Sequence, residues 1–545
     1  MPEKNANQQS PKFFGQDVFS LLSAEDMKTH FLRLRSSKIL VLANVAMALI
    51  YFAFIAIIMP KGNHFLFYLL IVGEIFHLWQ IATYAHTVWQ LKYEAPKDEK
   101  FMPEVDVYIT VAGEPAQVVE ETARAALRMD YPKHRVYILN DGLVAGKDNW
   151  EEIENLAAGL NITCITRRIP GGAKAGNINN ALRETASPFV AIFDADQAPH
   201  SDFLKKTLPY FVDDKMGFVQ TPQFYKNYSA NEITRGAWEQ QQIFFGAVCE
   251  GKNRLNSAFM CGTNMVMRRQ AIEQVGGMSE ESIAEDFLTS LFIHEKGWKS
   301  FYVSKVLAEG LAPEDFKSYY RQQFRWARGS LELIFKYNPL FRKGTTFSQK
   351  IQYLSSASFY LSGFIVLLDA LLPLVFFFTG KVPLLVSSMG LAAVFLPYIF
   401  LTVTLLKMTT NSSLTFRAVA FSMSSFTIHL KAIWATLTGK KNSFEVTSKK
   451  RLSGNFLNLV APHLAYLGLT LAGVAVAIGR DGFTAAFLSN LAWAMFNCCI
   501  FLMFIAPAFS NSRAPQAKKI PVKTVAVDLT NFQNPNLSSQ NPNTI

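Results

Sequence analysis

Cysteine is scarce: five in 545 residues, with no Cys-x-x-Cys pair and no regular spacing. That excludes a disulfide framework and a zinc site, and it fits a reducing, cytosolic face. Acids are fewer than bases, 42 Asp plus Glu against 53 Lys plus Arg, for a formal charge of +11. Basic excess fits nucleic acid, an anionic membrane surface or a phosphorylated substrate. No signal peptide is expected from residues 1–37, which are polar and mixed in charge, with the first apolar block starting later. Half the residues are apolar. They crowd into long blocks near the two ends, so the chain reads neither as one soluble globule nor as a fibrous repeat.

A membrane span needs about 20 mostly apolar residues. Ile39–Met59, Phe65–Trp89, Tyr353–Phe378, Pro383–Leu406, Pro462–Ile478 and Phe483–Ala506 qualify, which predicts six spans in three hairpins. The tight turns carry Lys61, Lys381 and Arg480, whereas Lys28, Arg33, Arg35, Lys38, Lys407, Arg417 and Lys449–Arg451 lie on the other side. The positive-inside rule then puts both termini and the middle of the chain in the cytosol of an inner or plasma membrane. It also accounts for the basic charge without nucleic acid. Residues 416–437 are long enough to span. Their apolar positions Phe416, Val419, Met423, Phe426, Leu430, Ile433 and Leu437 form one helix face, which reads as an interfacial helix, with a seventh span as the alternative.

From Val105 onward short apolar runs alternate with helical stretches. Strands are predicted at Val105–Val111, Val136–Leu139, Ile162–Ile165 and Phe189–Phe193, with helices between them, as in a mostly parallel α/β sheet. Ligands bind beyond the carboxyl ends of such strands. Asp141 ends one strand, read as a neighbour of the strand that ends in Asp194-Ala195-Asp196. Residues i and i+2 point the same way, so Asp194 and Asp196 can face one hard cation, Mg²⁺ or Mn²⁺. Glu285-Asp286 opens a predicted helix, where the two acids suit either the positive end of the helix dipole or a carboxylate base for a hydroxyl nucleophile. Gln322-Gln323-Phe324-Arg325-Trp326 suits either an amphipathic interfacial helix with a core Trp or an arginine for phosphate beside a flat ring for a sugar.

In order and spacing, Asp141, Asp194-x-Asp196, Glu285-Asp286 and Gln322-x-x-Arg325-Trp326 resemble the D, DxD, ED and QxxRW series of processive family 2 glycosyltransferases, of which the cellulose synthases are the best-known members. Ala173–Leu182 (AKAGNINNAL), Val219–Pro222, Cys261–Asn264 and Phe444–Lys449 match further stretches, so the resemblance covers residues 100–510. It implies a GT-A, Rossmann-like α/β domain, cytosolic and inserted between transmembrane hairpins. It further implies an inverting hexosyltransferase that takes a UDP-sugar, UDP-glucose in the first place, and extends a β-linked polysaccharide that it threads through its own helices. A non-processive transferase acting on a lipid or short acceptor is the alternative. Divided this way, the chain has an N-terminal segment (1–37), a first hairpin (38–92), a GT-A domain (100–312) and interfacial helices (313–352). A second hairpin (353–406), an interfacial helix (416–438), a gating loop (442–454), a third hairpin (460–508) and a disordered tail (509–545) follow.

The resemblance also implies roles. Thr110, Glu114, Asp141, Lys174 and Asp194 would hold uridine and the donor, and Asp196 with Asp194 the metal. Asp286, beside Glu285, would be the base. Cys261 and Trp326 would meet the acceptor. Gln322, Arg325, Phe444, Thr447 and Lys449 would close on UDP. Gln197, Gly172, Ala284, Gln323 and Lys450 stand where the cellulose synthase pattern has His, His, Thr, Arg and Gly, which leaves room for a β-1,3- or mixed-linkage product beside β-1,4. The tail is too short for a cyclic di-GMP-binding barrel, so no such control is expected through this chain. An export partner in the envelope would be a separate protein.

Overall fold

A computed structural model describes residues 34–385, 387–411, 414–439 and 454–509, together with 26, 28, 29 and 32. The predicted gating loop with Phe444, Thr447 and Lys449, the C-terminal tail and most of the N-terminal segment lie outside the described residues.

The strands are β1 (Val105–Val111), β2 (His134–Asn140), β3 (Thr163–Thr166), β4 (Phe189–Asp194), β5 (Ala198–Pro199), β6 (Met216–Gln220), β7 (Met265–Arg268), β8 (Lys299–Tyr302) and β9 (Ala308–Glu309). Seven of them form one sheet in the order β3-β2-β1-β4-β7-β6-β8, and β5 pairs with β9 separately. Every residue of β1 is buried, as expected of a strand covered on both faces. Its alternate side chains enter opposite cores. Val107 and Ile109 join Val119, Ala123 and Phe203, while Tyr108 joins Ala175 and Ile178.

Two features differ from the sequence reading. Asp141's strand is not beside that of Asp194, because β1 lies between them, paired in parallel with both. Strands β6, β7 and β8 also complete the sheet, and β7 runs antiparallel to both its neighbours. The reversal has a consequence. A parallel strand offers the edge the loop that follows it, whereas β7 offers the loop that precedes it, Cys261–Asn264.

Six helices are long and apolar enough to cross a membrane: Lys38–Ile58, His64–Val88, Phe347–Thr379, Met389–Thr409, Leu457–Asp481 and Ala485–Phe509. They agree with the six predicted spans to within a few residues at most ends, though the third helical stretch starts earlier and the last pair extends further. Polar residues inside these helices went unread in the sequence. Tyr51 donates to Glu74 at 3.0 Å, and His77 lies 3.5 Å from Glu74 and 3.7 Å from Asp369. Each thus has a partner, the usual condition for an ionisable group at that depth.

Residues 416–437 are not one helix but two, Phe416–Ser424 and Phe426–Leu437. At the break Ser425 has ψ near 1°, and its hydroxyl donates to the Phe421 carbonyl four residues back at 2.8 Å. Hydroxyls that compete for backbone carbonyls bend helices this way. Both pieces are too short to span. The first lies against Glu232–Ile243 of the soluble domain, where a Cβ on Gly236 would come within 2.3 Å of the Phe421 ring. Gly236→Val should therefore lower the thermal unfolding midpoint by several degrees, consistent with roughly 1–3 kcal/mol of overpacking. The double variant Gly236→Val with Phe421→Ala should cost less than the two single changes added together.

Candidate active site

The carboxyl ends of β1, β2 and β4, the loop before β7, the Glu285–Glu295 helix and the Phe316–Phe335 helix surround one cavity of about 1100 Å³. Its walls include Thr110, Glu114, Asp141, Lys174, Asp194, Asp196, Cys261, Glu285, Asp286, Gln322, Arg325 and Trp326. Every sequence-predicted site residue within the described part of the chain is on that wall.

Local structure explains the convergence. Asp315 caps the Phe316–Phe335 helix, accepting from the Ser318 amide and hydroxyl at 2.8 Å each. Gln322, Arg325 and Trp326 are spaced i, i+3, i+4, so one face of that helix meets the cavity. The opposite face carries Ala327 and Leu331, which pack with Ala432 of the Phe426–Leu437 helix. Gly329 touches the turn before Glu285, since a Cβ there would lie 2.5 Å from that of Ala284. Small residues at both positions bring the two helices together.

Lys174 is the central cation. Its ammonium is paired with Asp194 and donates to the Gly262 carbonyl at 2.8 Å. Burial pulls its pKa down, but Asp194, Glu285 and Asp286 outweigh that and hold it above the ordinary value. Thr110 donates to Asp194 at 3.2 Å. Gly262 has φ +81°, and even a Cβ there would come to 3.1 Å from Asp286. Gln220 braces the same loop, accepting from the Cys261 amide and donating to the Thr263 carbonyl, both at 2.8 Å.

The acids fall into three states. Asp141 is held by Arg167 through two contacts, 2.6 and 2.8 Å. Asp196 accepts from the Leu311 amide at 3.2 Å. Burial, then the neighbouring Glu285 charge, pushes Asp286 up to about 7. Burial also raises Glu285, partly offset by Lys174. Burial holds the Cys261 thiol well above its usual range, so it stays neutral. Two buried acceptors on the wall, Asn177 Oδ1 and Gln322 Oε1, have no partner among the described residues, as in a site shaped for a hydrogen-donating ligand. Among the described residues no cluster of three or more His, Cys, Asp or Glu could hold a metal alone. Asp194 and Asp196 do fit a cation that takes its remaining ligands from a diphosphate.

The sequence reading missed Arg167 and Arg321. Arg321 lines the cavity one helical turn before Arg325. Its position in the helical spacing was the available signal. For Arg167 it was the place just past the carboxyl end of a strand.

Residues 103–329 match the family described as glycosyltransferase like family 2, and residues 273–451 match cellulose synthase. The chain carries both domains. Cellulose synthase 1 of Komagataeibacter xylinus is 30% identical over 490 residues, which cover 85% of this chain and 31% of that one. The UDP-forming cellulose synthase catalytic subunit of Pseudomonas fluorescens (strain SBW25) is 30% identical over 476 residues, covering 82% of this chain and 63% of that one. The chain thus spans from under a third to under two thirds of the length of these relatives. A mannosyltransferase from Pyrobaculum calidifontis, solved with GDP-Man and Mn²⁺, superposes with a TM-score of 0.51 at 18% identity, covering 69% of this chain and all of its own. That likeness identifies the GT-A fold. The family 2 domain spans the sheet and the cavity, and the cellulose synthase match runs on into helices that pack against it.

Proposed function

We propose that the chain is an inverting, processive glycosyltransferase that transfers glucose from UDP-glucose to a growing β-linked glucan and passes the product through its own membrane helices. The observation that carries this reading is a shared cavity. It joins the carboxylates at the sheet edge, a neutral-range Asp286 and the face bearing Gln322, Arg325 and Trp326, on a helix that packs against the membrane-proximal segment. The family 2 and cellulose synthase matches support the donor and the reaction class.

In this reading the acceptor sugar lies against Trp326 and Cys261, and Asp286 takes the proton from its hydroxyl as that oxygen attacks the anomeric carbon. The bond to UDP breaks on the far side, which inverts the centre. Lys174 and Arg325 face the charge that grows on the diphosphate. A divalent cation held by Asp196, with Asp194, would neutralise part of that charge. Mn²⁺ in the mannosyltransferase supports a metal of this kind. The basic flanks of the helices support a cytosolic catalytic domain and cytosolic termini.

The purified chain should release UDP from UDP-glucose with Mg²⁺ or Mn²⁺ and lose that activity in excess chelator or with Asp196→Ala. Linkage-specific glucanases should digest a polymeric product. UDP release with only short products would favour the non-processive alternative, and no UDP release at all would defeat the proposal.

A base must be unprotonated. With Asp286 raised to about 7, turnover should climb with pH through that value. Asp286→Asn should lower turnover by at least about 10²-fold while UDP still binds. Near-normal turnover in that variant would remove Asp286 from the mechanism.

The gating-loop resemblance generates a separate expectation. Lys449→Ala should cost one to two decades in UDP release, for a charge-assisted contact of roughly 1.5–3 kcal/mol. Phe444→Ala and Thr447→Ala should also impair release, though neither alters charge, whereas Arg451→Ala should do much less. If only the charge changes matter, the segment is a lipid anchor.

A further inference from the structure

Arg167 follows directly on β3 and is buried, its side chain 7% exposed. It is not part of the cavity wall, but Asp141 is. Its guanidinium grips both oxygens of Asp141, Nε to Oδ1 at 2.6 Å and Nη2 to Oδ2 at 2.8 Å. Nη2 also donates to the Ala173 carbonyl at 3.2 Å, and Nη1 donates to that of Gly171. Those carbonyls belong to a loop with three successive positive φ angles, Gly171 at 132°, Gly172 at 63° and Ala173 at 45°. The next residue is Lys174. Gly176 is part of the same arrangement, for a Cβ there would lie 2.3 Å from the Gly171 oxygen and 2.6 Å from Arg167 Nη1.

We propose that Arg167 is a positioning residue that sets base selectivity, by fixing the Asp141 carboxylate to accept the N3–H of uracil. This rests on the UDP-donor reading. The chemistry is specific. Uracil carries a hydrogen on N3 and cytosine carries a lone pair there, so a fixed carboxylate accepts from the first and repels the second. Arginine's planar fork can hold both oxygens in one orientation. Lysine keeps the charge but is a point donor and cannot.

The test is binding of UDP and of CDP, each with Mg²⁺, to the full chain in detergent, beside donor KM and kcat. The wild type should prefer UDP. Arg167→Lys should weaken UDP by about tenfold, the scale of one charge-assisted hydrogen bond, leave CDP unchanged, and raise donor KM with kcat retained. Asp141→Asn, which can offer an N–H to the base, should narrow the preference. Equal weakening of both nucleotides in Arg167→Lys would reduce the arginine to a structural role and overturn the inference, as would unchanged UDP affinity. Should Arg167→Lys fail to fold, an unchanged UDP-to-CDP ratio in Asp141→Asn overturns it equally. A wild type without preference for UDP would instead remove the donor reading, a result the unmodified chain gives by itself.

Discussion

Carboxylates crowd one cavity, and burial first, then their mutual repulsion, governs the charge each can carry. Asp141, Asp194, Asp196, Glu285 and Asp286 all reach the same space. Like charges in a partly dry site cannot all ionise freely. Two of them have fixed cations, Arg167 for Asp141 and Lys174 for Asp194. Asp196 accepts from a backbone amide and lies on the cavity wall. Glu285 and Asp286 carry the remaining strain as raised pKa values, caused first by burial. One cavity thus holds acids in three electrostatic states: two paired with cations, one held by a backbone amide and two with raised pKa values.

The same arrangement ties chemistry to the membrane. Lys174 bridges the end of β4 and the loop before β7, and that loop lies on Asp286. Asp286 sits on the helix whose first turn meets Gly329, and Gly329 belongs to the helix that carries Arg325 and Trp326. The far face of that helix rests on Phe426–Leu437, which packs in turn on Ser362–Thr379, where a Cβ on Gly363 would lie 2.5 Å from that of His429. Packed contacts therefore run from the Lys174 end of the cavity to a helix apolar enough to cross a membrane, through glycines that admit close approach.

Much of this was legible in the sequence because it follows periodicity and position. Four strands and their helices follow from alternating runs, and the parallel order puts Thr110, Asp141 and Asp194 at one edge. What was hidden depends on pairing between distant segments. The short strands Met216–Gln220 and Met265–Arg268 have no strong pattern of their own, and only the sheet reveals that the second is reversed. The break at Ser425 was invisible to a reading of apolar faces, because the hydrophobic stripe continues across it. Arg167 looked like one of two consecutive basic residues, and only tertiary contacts separate it from its neighbour.

The charged groups within the apolar helices show the limit of reading by composition. Six spans were found because long apolar runs dominate an average, and the same averaging hid Glu74, His77 and Asp369. Stranded in lipid, each would cost several kcal/mol. Here Glu74 takes the Tyr51 hydroxyl, and His77 stands between Glu74 and Asp369, so one polar cluster is shared by three helices. Gly73 permits it, since Asp369 comes to 3.4 Å of where a Cβ would be. The rule is the one that operates in the cavity below. Ionisable groups accumulate where backbone and glycine let partners approach, and each group's use is set by the partner it obtains.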